Sequence, residues 1–99
     1  MTLNKKLNGE TLTVSIEGRL DTNTAPQLEK ELHDGLDGVK ELIFDLKELV
    51  YMSSAGLRVL LSMHKRMKSI DGCLKVKNAN EEIMEVFEIT GFVDVLNIE

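Results

Sequence analysis

Between Thr11 and Glu17 apolar and polar residues alternate without a break: Leu12, Val14 and Ile16 stand between Thr11, Thr13, Ser15 and Glu17. A two-residue period sends successive side chains to opposite faces, so this stretch predicts a strand with one buried side. Asn8-Gly9 marks a turn before it and sets off a weaker strand at Thr2–Leu7. The period then lapses through Gly18 to Asn23, "GRLDTN", which reads as a loop. Leu28, Leu32 and Leu36 recur every four residues and give a helix one apolar stripe. Thr24 and Gln27 fit a capping box at its start, Pro26 is tolerated in its first turn, and Gly38 is a plausible stop.

Glu41–Leu46, "ELIFDL", is short, apolar and bounded, and predicts a buried strand. Leu57, Leu60, Leu61, His64 and Met67 then fit a second helical face, widened by Val59, Met63 and Ile70. Asp71-Gly72 is a turn, and Cys73–Lys77 alternates as a half-buried strand with Leu74 and Val76 on one side. Asn80 caps a third helix whose Ile83, Val86, Phe87 and Thr90 share a face, and Gly91 ends it. Val93–Ile98 is a last short strand or a terminal turn. The order ββαβαβαβ predicts an α/β fold: a single domain over residues 1–99, with a mostly parallel sheet of four or five strands and right-handed crossovers. The first two strands, joined by a short turn, form its antiparallel pair. In such sheets sites gather where strands end and helices begin. Two junctions of that kind stand out, "GRLDTNTA" and "YMSSAG".

Charge removes some classes of partner. Ninety-nine residues with a net charge of −5 lack the basic face that nucleic acid requires. The cluster His64, Lys65, Arg66 and Lys68 reads as a solvated helix face. Cys73 is the only cysteine, so neither an internal disulfide nor a paired-cysteine metal site is available. No apolar run reaches membrane-spanning length. The expectation is a cytoplasmic monomer with no cofactor and no metal, with Cys73 packed rather than reactive.

The two serines of "YMSSAGLRVLL" interrupt an apolar run at a strand-to-helix junction. One of them serves as an N-cap on the simplest reading, which leaves the other unexplained. A nucleophile elbow needs glycine two residues before the serine, where Met52 stands before Ser54, and no acid–histidine pair follows downstream. A phosphate-cradling loop needs more glycine and a lysine. Modification is the third reading. A hydroxyl at an exposed helix start is within reach of a kinase, and the resulting phosphate sits at the positive end of the helix dipole.

The segment "DLKELVYMSSAGLRVLL" resembles the signature of the STAS family, in particular its bacterial anti-sigma factor antagonists. "GRLDTNTAPQLEKEL" resembles the family's acidic loop leading into the first helix, and "VFEITGF" the ending of its third. The resemblance covers nearly the whole chain. It implies Ser54 as phosphoacceptor, with Ser53 standing where the best-known members carry aspartate and remaining the alternative acceptor. It also implies that Asp21 lies near the phosphoserine site.

The function so implied is partner switching, with no catalysis by the chain itself. The unphosphorylated protein binds an anti-sigma factor with serine kinase activity and so frees a sigma factor. Phosphorylation on Ser54 ends the interaction, and a serine phosphatase restores it. The expected docking surface comprises Asp21, Thr22, Asn23, Met52, Ser53, Ser54, Gly56 and Arg58, with Met52 giving apolar contact and Arg58 a charge one helical turn after Ser54. Two alternatives stay open: a STAS-type interaction module for another regulator, and a domain that binds a small anion or other ligand.

Overall fold

Leu12, Leu42 and Leu74 lie side by side across three neighbouring parallel strands, and one step along so do Val14, Phe44 and Val76. None of the six is more than 5% exposed. These rows belong to β2 (Thr11–Leu20), β3 (Glu41–Asp45) and β5 (Cys73–Lys77). The computed structural model describes Met1–Glu99 and completes the sheet with β1 (Thr2–Asn8), antiparallel to β2, and β6 (Asn97–Ile98), parallel to β5. The order across the sheet is β1-β2-β3-β5-β6, and β4 (Leu49–Met52) pairs in parallel with the far end of β2. The predicted mixed sheet, parallel but for its first pair, is therefore the observed one, with six strands rather than four or five.

Three helices cover the buried side: α1 (Ala25–His33), α2 (Ser54–Ser69) and α3 (Glu81–Thr90). Leu28 and Leu32 of α1, Leu57, Leu60, Met63 and Met67 of α2, and Ile83 and Phe87 of α3 join the strand residues in one cluster. Burial of a side chain of this size contributes about 1.5–3 kcal/mol. The other face of the sheet carries Thr11, Glu41 and Cys73 in one row and Ser15, Asp45 and Lys77 in another. It is only partly shielded, and Lys75 Nζ meets Glu41 Oε2 there at 3.0 Å. No helix is long and apolar enough to cross a membrane.

Several local expectations change. "GRLDTN" is not all loop: β2 continues through Leu20, past a register shift between Gly18 and Arg19 where Gly18 takes a φ of +99°. β4, hidden in the sequence, forms against this continuation. The first helix ends at His33, well short of Gly38, so Leu36 is buried from the connecting loop. Cys73 is exposed, because it points from β5 to the uncovered face while Leu74 and Val76 point to the core. Thr90 is exposed as well, its hydroxyl donating to the Val86 carbonyl at 2.7 Å. The third helix otherwise matches its prediction: Asn80 Oδ1 accepts the Ile83 N–H at 2.9 Å, and Gly91 closes the helix with a φ of +79°. The terminal segment is one 3₁₀ turn, Phe92–Asp94, followed by the two residues of β6.

Candidate functional site

The two marked junctions follow the C-terminal ends of β2 and β4, which pair in parallel, and the backbone ties them together. The Ser53 N–H donates to the Leu20 carbonyl at 2.9 Å, and the Ser53 carbonyl accepts the Leu57 N–H at 3.1 Å. The start of α2 is thereby fastened to the end of β2. Gly56 allows the close approach: a Cβ there would lie 2.8 Å from Leu20 Cγ and 3.1 Å from the Leu20 carbonyl oxygen. Glycine at this point of "SSAGL" is a packing requirement, and Gly56 itself is buried.

The serines are not equivalent. Ser53 occupies the N-cap position with extended backbone, yet its side chain accepts no helix N–H. Its Oγ is buried and has no hydrogen-bond partner. Ser54 is the first residue of α2 and is exposed. Capping therefore accounts for neither hydroxyl.

In the first junction the expected capping box is replaced by a tighter turn. Thr24 Oγ1 accepts the Asp21 N–H at 2.8 Å and donates to the Arg19 carbonyl at 2.8 Å, so it caps no N–H of α1. Asp21 Oδ1 in turn accepts the N–H groups of Asn23 at 3.0 Å and Thr24 at 3.1 Å. Desolvation opposes the Asp21 charge, but these amides, the Thr24 hydroxyl and Arg19 together hold the carboxyl below the ordinary aspartate range. The carboxylate thus serves to shape the loop that presents Thr22 and Asn23, both exposed.

Between the junctions runs an open cleft of about 430 Å³. Thr22, Ala25, Pro26 and Glu29 form one wall, and Ala55, Arg58, Val59 and Ser62 form the other. Thr22 and Arg58 both line this cleft, while Ser54 directly precedes Ala55 of its α2 wall and does not line it. Met52 and Gly56 are buried rather than exposed: Met52 is 4% exposed, its side chain belongs to the core, and only its edge reaches the shallow cleft between β4 and α3.

Two residues not singled out from the sequence take the exposed positions instead. Tyr51 is 42% exposed, and the Arg19 guanidinium lies 4.3 Å from its ring centroid. Arg19 also approaches Asp21 Oδ2 at 3.5 Å. Tyr51 and Val50 form the exposed middle of β4, between the buried Leu49 and Met52.

The basic cluster on α2 divides by role. Arg66 donates to the carbonyls of Leu32 at 3.2 Å and His33 at 3.0 Å, satisfying the C-terminal end of α1. Desolvation, with Lys68 nearby, holds the half-buried His64 below its ordinary pKa. Lys65 and Lys68 are exposed.

Residues 2–99 match the STAS domain. The chain is 34% identical over 93 residues to the anti-sigma-B factor antagonist of Bacillus subtilis (strain 168), covering 94% of this chain and 85% of that protein. It is 32% identical over 99 residues to the anti-sigma-B factor antagonist of Staphylococcus aureus (strain NCTC 8325), covering 93% and 92%. In fold it is similar to the anti-sigma factor antagonist SpoIIAA in its unphosphorylated form, with a TM-score of 0.87 at 18% identity over 99% of this chain and 88% of that one. A domain match spanning nearly every residue, with relatives above 30% identity along most of their length, establishes that this chain belongs to the STAS family.

Proposed function

We propose that this chain is an anti-sigma factor antagonist that works by partner switching, with Ser54 as its phosphoacceptor. The relatives at 32–34% identity carry that functional name. The observation that carries the choice of residue is the contrast between an exposed Ser54 and a Ser53 whose hydroxyl oxygen is buried. A kinase must bring the γ-phosphorus of ATP in line with the attacking oxygen, which favours the exposed serine.

In this reading the unphosphorylated cleft, the Thr22–Asn23 loop and the Arg19–Tyr51 pair bind an anti-sigma factor that is itself a serine kinase. The Ser54 oxygen attacks the γ-phosphorus of the kinase's ATP. The new Oγ–P bond forms as the bond to ADP breaks, and the hydroxyl proton passes to a kinase base or to water. The chain is substrate and ligand rather than enzyme, and ATP and its metal belong to the kinase. A serine phosphatase later hydrolyses the ester to serine and inorganic phosphate.

The anion is tolerated locally, because a negative charge at a helix N-terminus is favourable by about 0.3–1 kcal/mol. At a closed apolar interface the same charge costs several kcal/mol unless paired. A penalty of about 3 kcal/mol weakens binding roughly a hundredfold.

The test is capture from native lysate with wild-type, Ser54→Ala and Ser54→Asp chains, identification of the captured protein, and phosphorylation by it in purified form. Wild type and Ser54→Ala are expected to capture an anti-sigma factor, Ser54→Asp to lose it, and only chains with Ser54 to take up phosphate. Phosphate uptake by Ser54→Ala together with none by a Ser53→Ala chain would move the assignment to Ser53.

A further inference from the structure

Of the chain's three arginines, two are engaged: Arg19 with Asp21 and the Tyr51 ring, and Arg66 with the end of α1. Arg58 is exposed and makes neither a salt bridge nor a hydrogen bond within the chain. It lies in the second turn of α2, and the first turn of that helix contains no acid to neutralise it. Glu29, across the cleft, is the one acidic residue lining it, and it does not come within ion-pair distance of Arg58. The fold thus keeps an unneutralised guanidinium one turn from a hydroxyl that is itself exposed.

We propose that Arg58 reads the state of Ser54: it binds an acidic side chain of the partner while Ser54 is unmodified, and it is drawn onto the phosphate once Ser54 is phosphorylated. The inference rests on Ser54 as phosphoacceptor. Helix geometry supports the second half. Residues four apart have Cβ atoms about 5–6 Å from each other, and long helical side chains lean toward the N-terminus, so Arg58 reaches back over the turn that begins at Ser54. A phosphoserine carries a charge of about −1.5 to −2 and three acceptor oxygens, and guanidinium binds such a group through two parallel N–H···O bonds. Once its paired N–H groups are turned back onto this phosphate, the guanidinium no longer projects toward the partner's carboxylate. Phosphorylation then acts twice, by placing an anion in the interface and by withdrawing the cation that the partner used.

The first arm of the experiment needs no partner. Phosphoserine is installed at position 54 during synthesis in the parent and in Arg58→Gln, and the phosphate is titrated by phosphorus NMR. The parent's phosphate should ionise at lower pH than that of Arg58→Gln, by roughly one unit, as expected for an anion beside an arginine. The second arm titrates unphosphorylated parent and Arg58→Gln against the anti-sigma factor captured above, where the variant should bind at least tenfold more weakly. Thermal unfolding of Arg58→Gln should match the parent, since the side chain is exposed and unpartnered. Equal phosphate titrations, or equal partner affinities, would overturn the proposal. The phosphate titration is informative even if the captured kinase never modifies Ser54, so failure of the functional reading is separable from failure of this one.

Discussion

Leu20 and Gly56 meet so closely that a methyl group on Gly56 would stand 2.8 Å from Leu20 Cγ. Leu20 is fully buried at the end of β2, and the first turn of α2 rests on it. Gly56→Ala should therefore force the helix start outward or push Leu20 off its rotamer, at a cost of about 1–3 kcal/mol. For a domain of this size that corresponds to a loss of at least about 4 °C in Tm. Calorimetry of the variant checks it, and unchanged stability would mean that the α2 start shifts freely.

Asn80 fixes a different junction. Its Oδ1 accepts the Ile83 N–H while its Nδ2 donates to the Leu49 carbonyl at 3.2 Å, so one side chain caps α3 and ties it to β4. Asn80→Ala should cost about 1–2 kcal/mol, the larger share from the lost cap. Asn80→Ser should retain a capping oxygen and lose the bond to Leu49. Denaturant unfolding of the pair separates the two contributions.

The Asp21 turn should respond to acid. Its carboxyl ionises more readily in the folded chain than the ordinary aspartate, near pH 3.9. A group with a lowered folded pKa stabilises the fold in full above its unfolded pKa, and that contribution is lost as pH falls through the folded value. The Asn23 and Thr24 amide resonances should therefore shift together on acidification, below the range of an unstructured aspartate. Asp21→Asn should remove the transition while leaving the rest of the sheet unchanged.

Most of the architecture is legible in the sequence because it rests on alternation. Leu12–Val14–Ile16 and Leu74–Val76 announce one-sided strands, and those residues do form the buried rows. β4 is not legible: four residues with buried ends and an exposed middle have neither a strand nor a helix period. The continuation of β2 is masked by Gly18, whose positive φ shifts the register without ending the strand. At the site, Ser54, Thr22 and Arg58 were readable as exposed junction residues. Met52 was misjudged because burial at a four-residue strand end depends on what packs over it, and the pairing of Arg19 with Tyr51 follows only from β2 lying beside β4.

Cys73 is exposed, yet its surroundings oppose the thiolate. Desolvation and the Glu41 carboxylate raise the thiol pKa, and Sγ stands 3.7 Å from Glu41 Oε2. Because the thiolate is the nucleophile, labelling at neutral pH should proceed without unfolding but more slowly than for a free cysteine. Glu41→Gln should accelerate it. A rate for the native chain that matches a small-molecule thiol would show that Glu41 does not hold the position described.

The serine pair gives the sharpest test of the site. If Ser53 were an ordinary helix cap, Ser53→Ala would cost about 0.5–2 kcal/mol. Its hydroxyl instead caps nothing, and its oxygen is buried without a partner, an arrangement that itself costs about 1–3 kcal/mol. Ser53→Ala is therefore expected to leave Tm unchanged or raise it. Ser54→Asp should also keep or slightly raise Tm, since an exposed anion at the first residue of α2 meets the positive end of the dipole. A Tm loss in Ser53→Ala of several degrees would show that its hydroxyl turns to cap α2 in solution, and burial would then no longer separate the two serines. A Tm loss in Ser54→Asp would make its failure to bind a partner a folding effect, and the switch would have to be tested with phosphoserine itself.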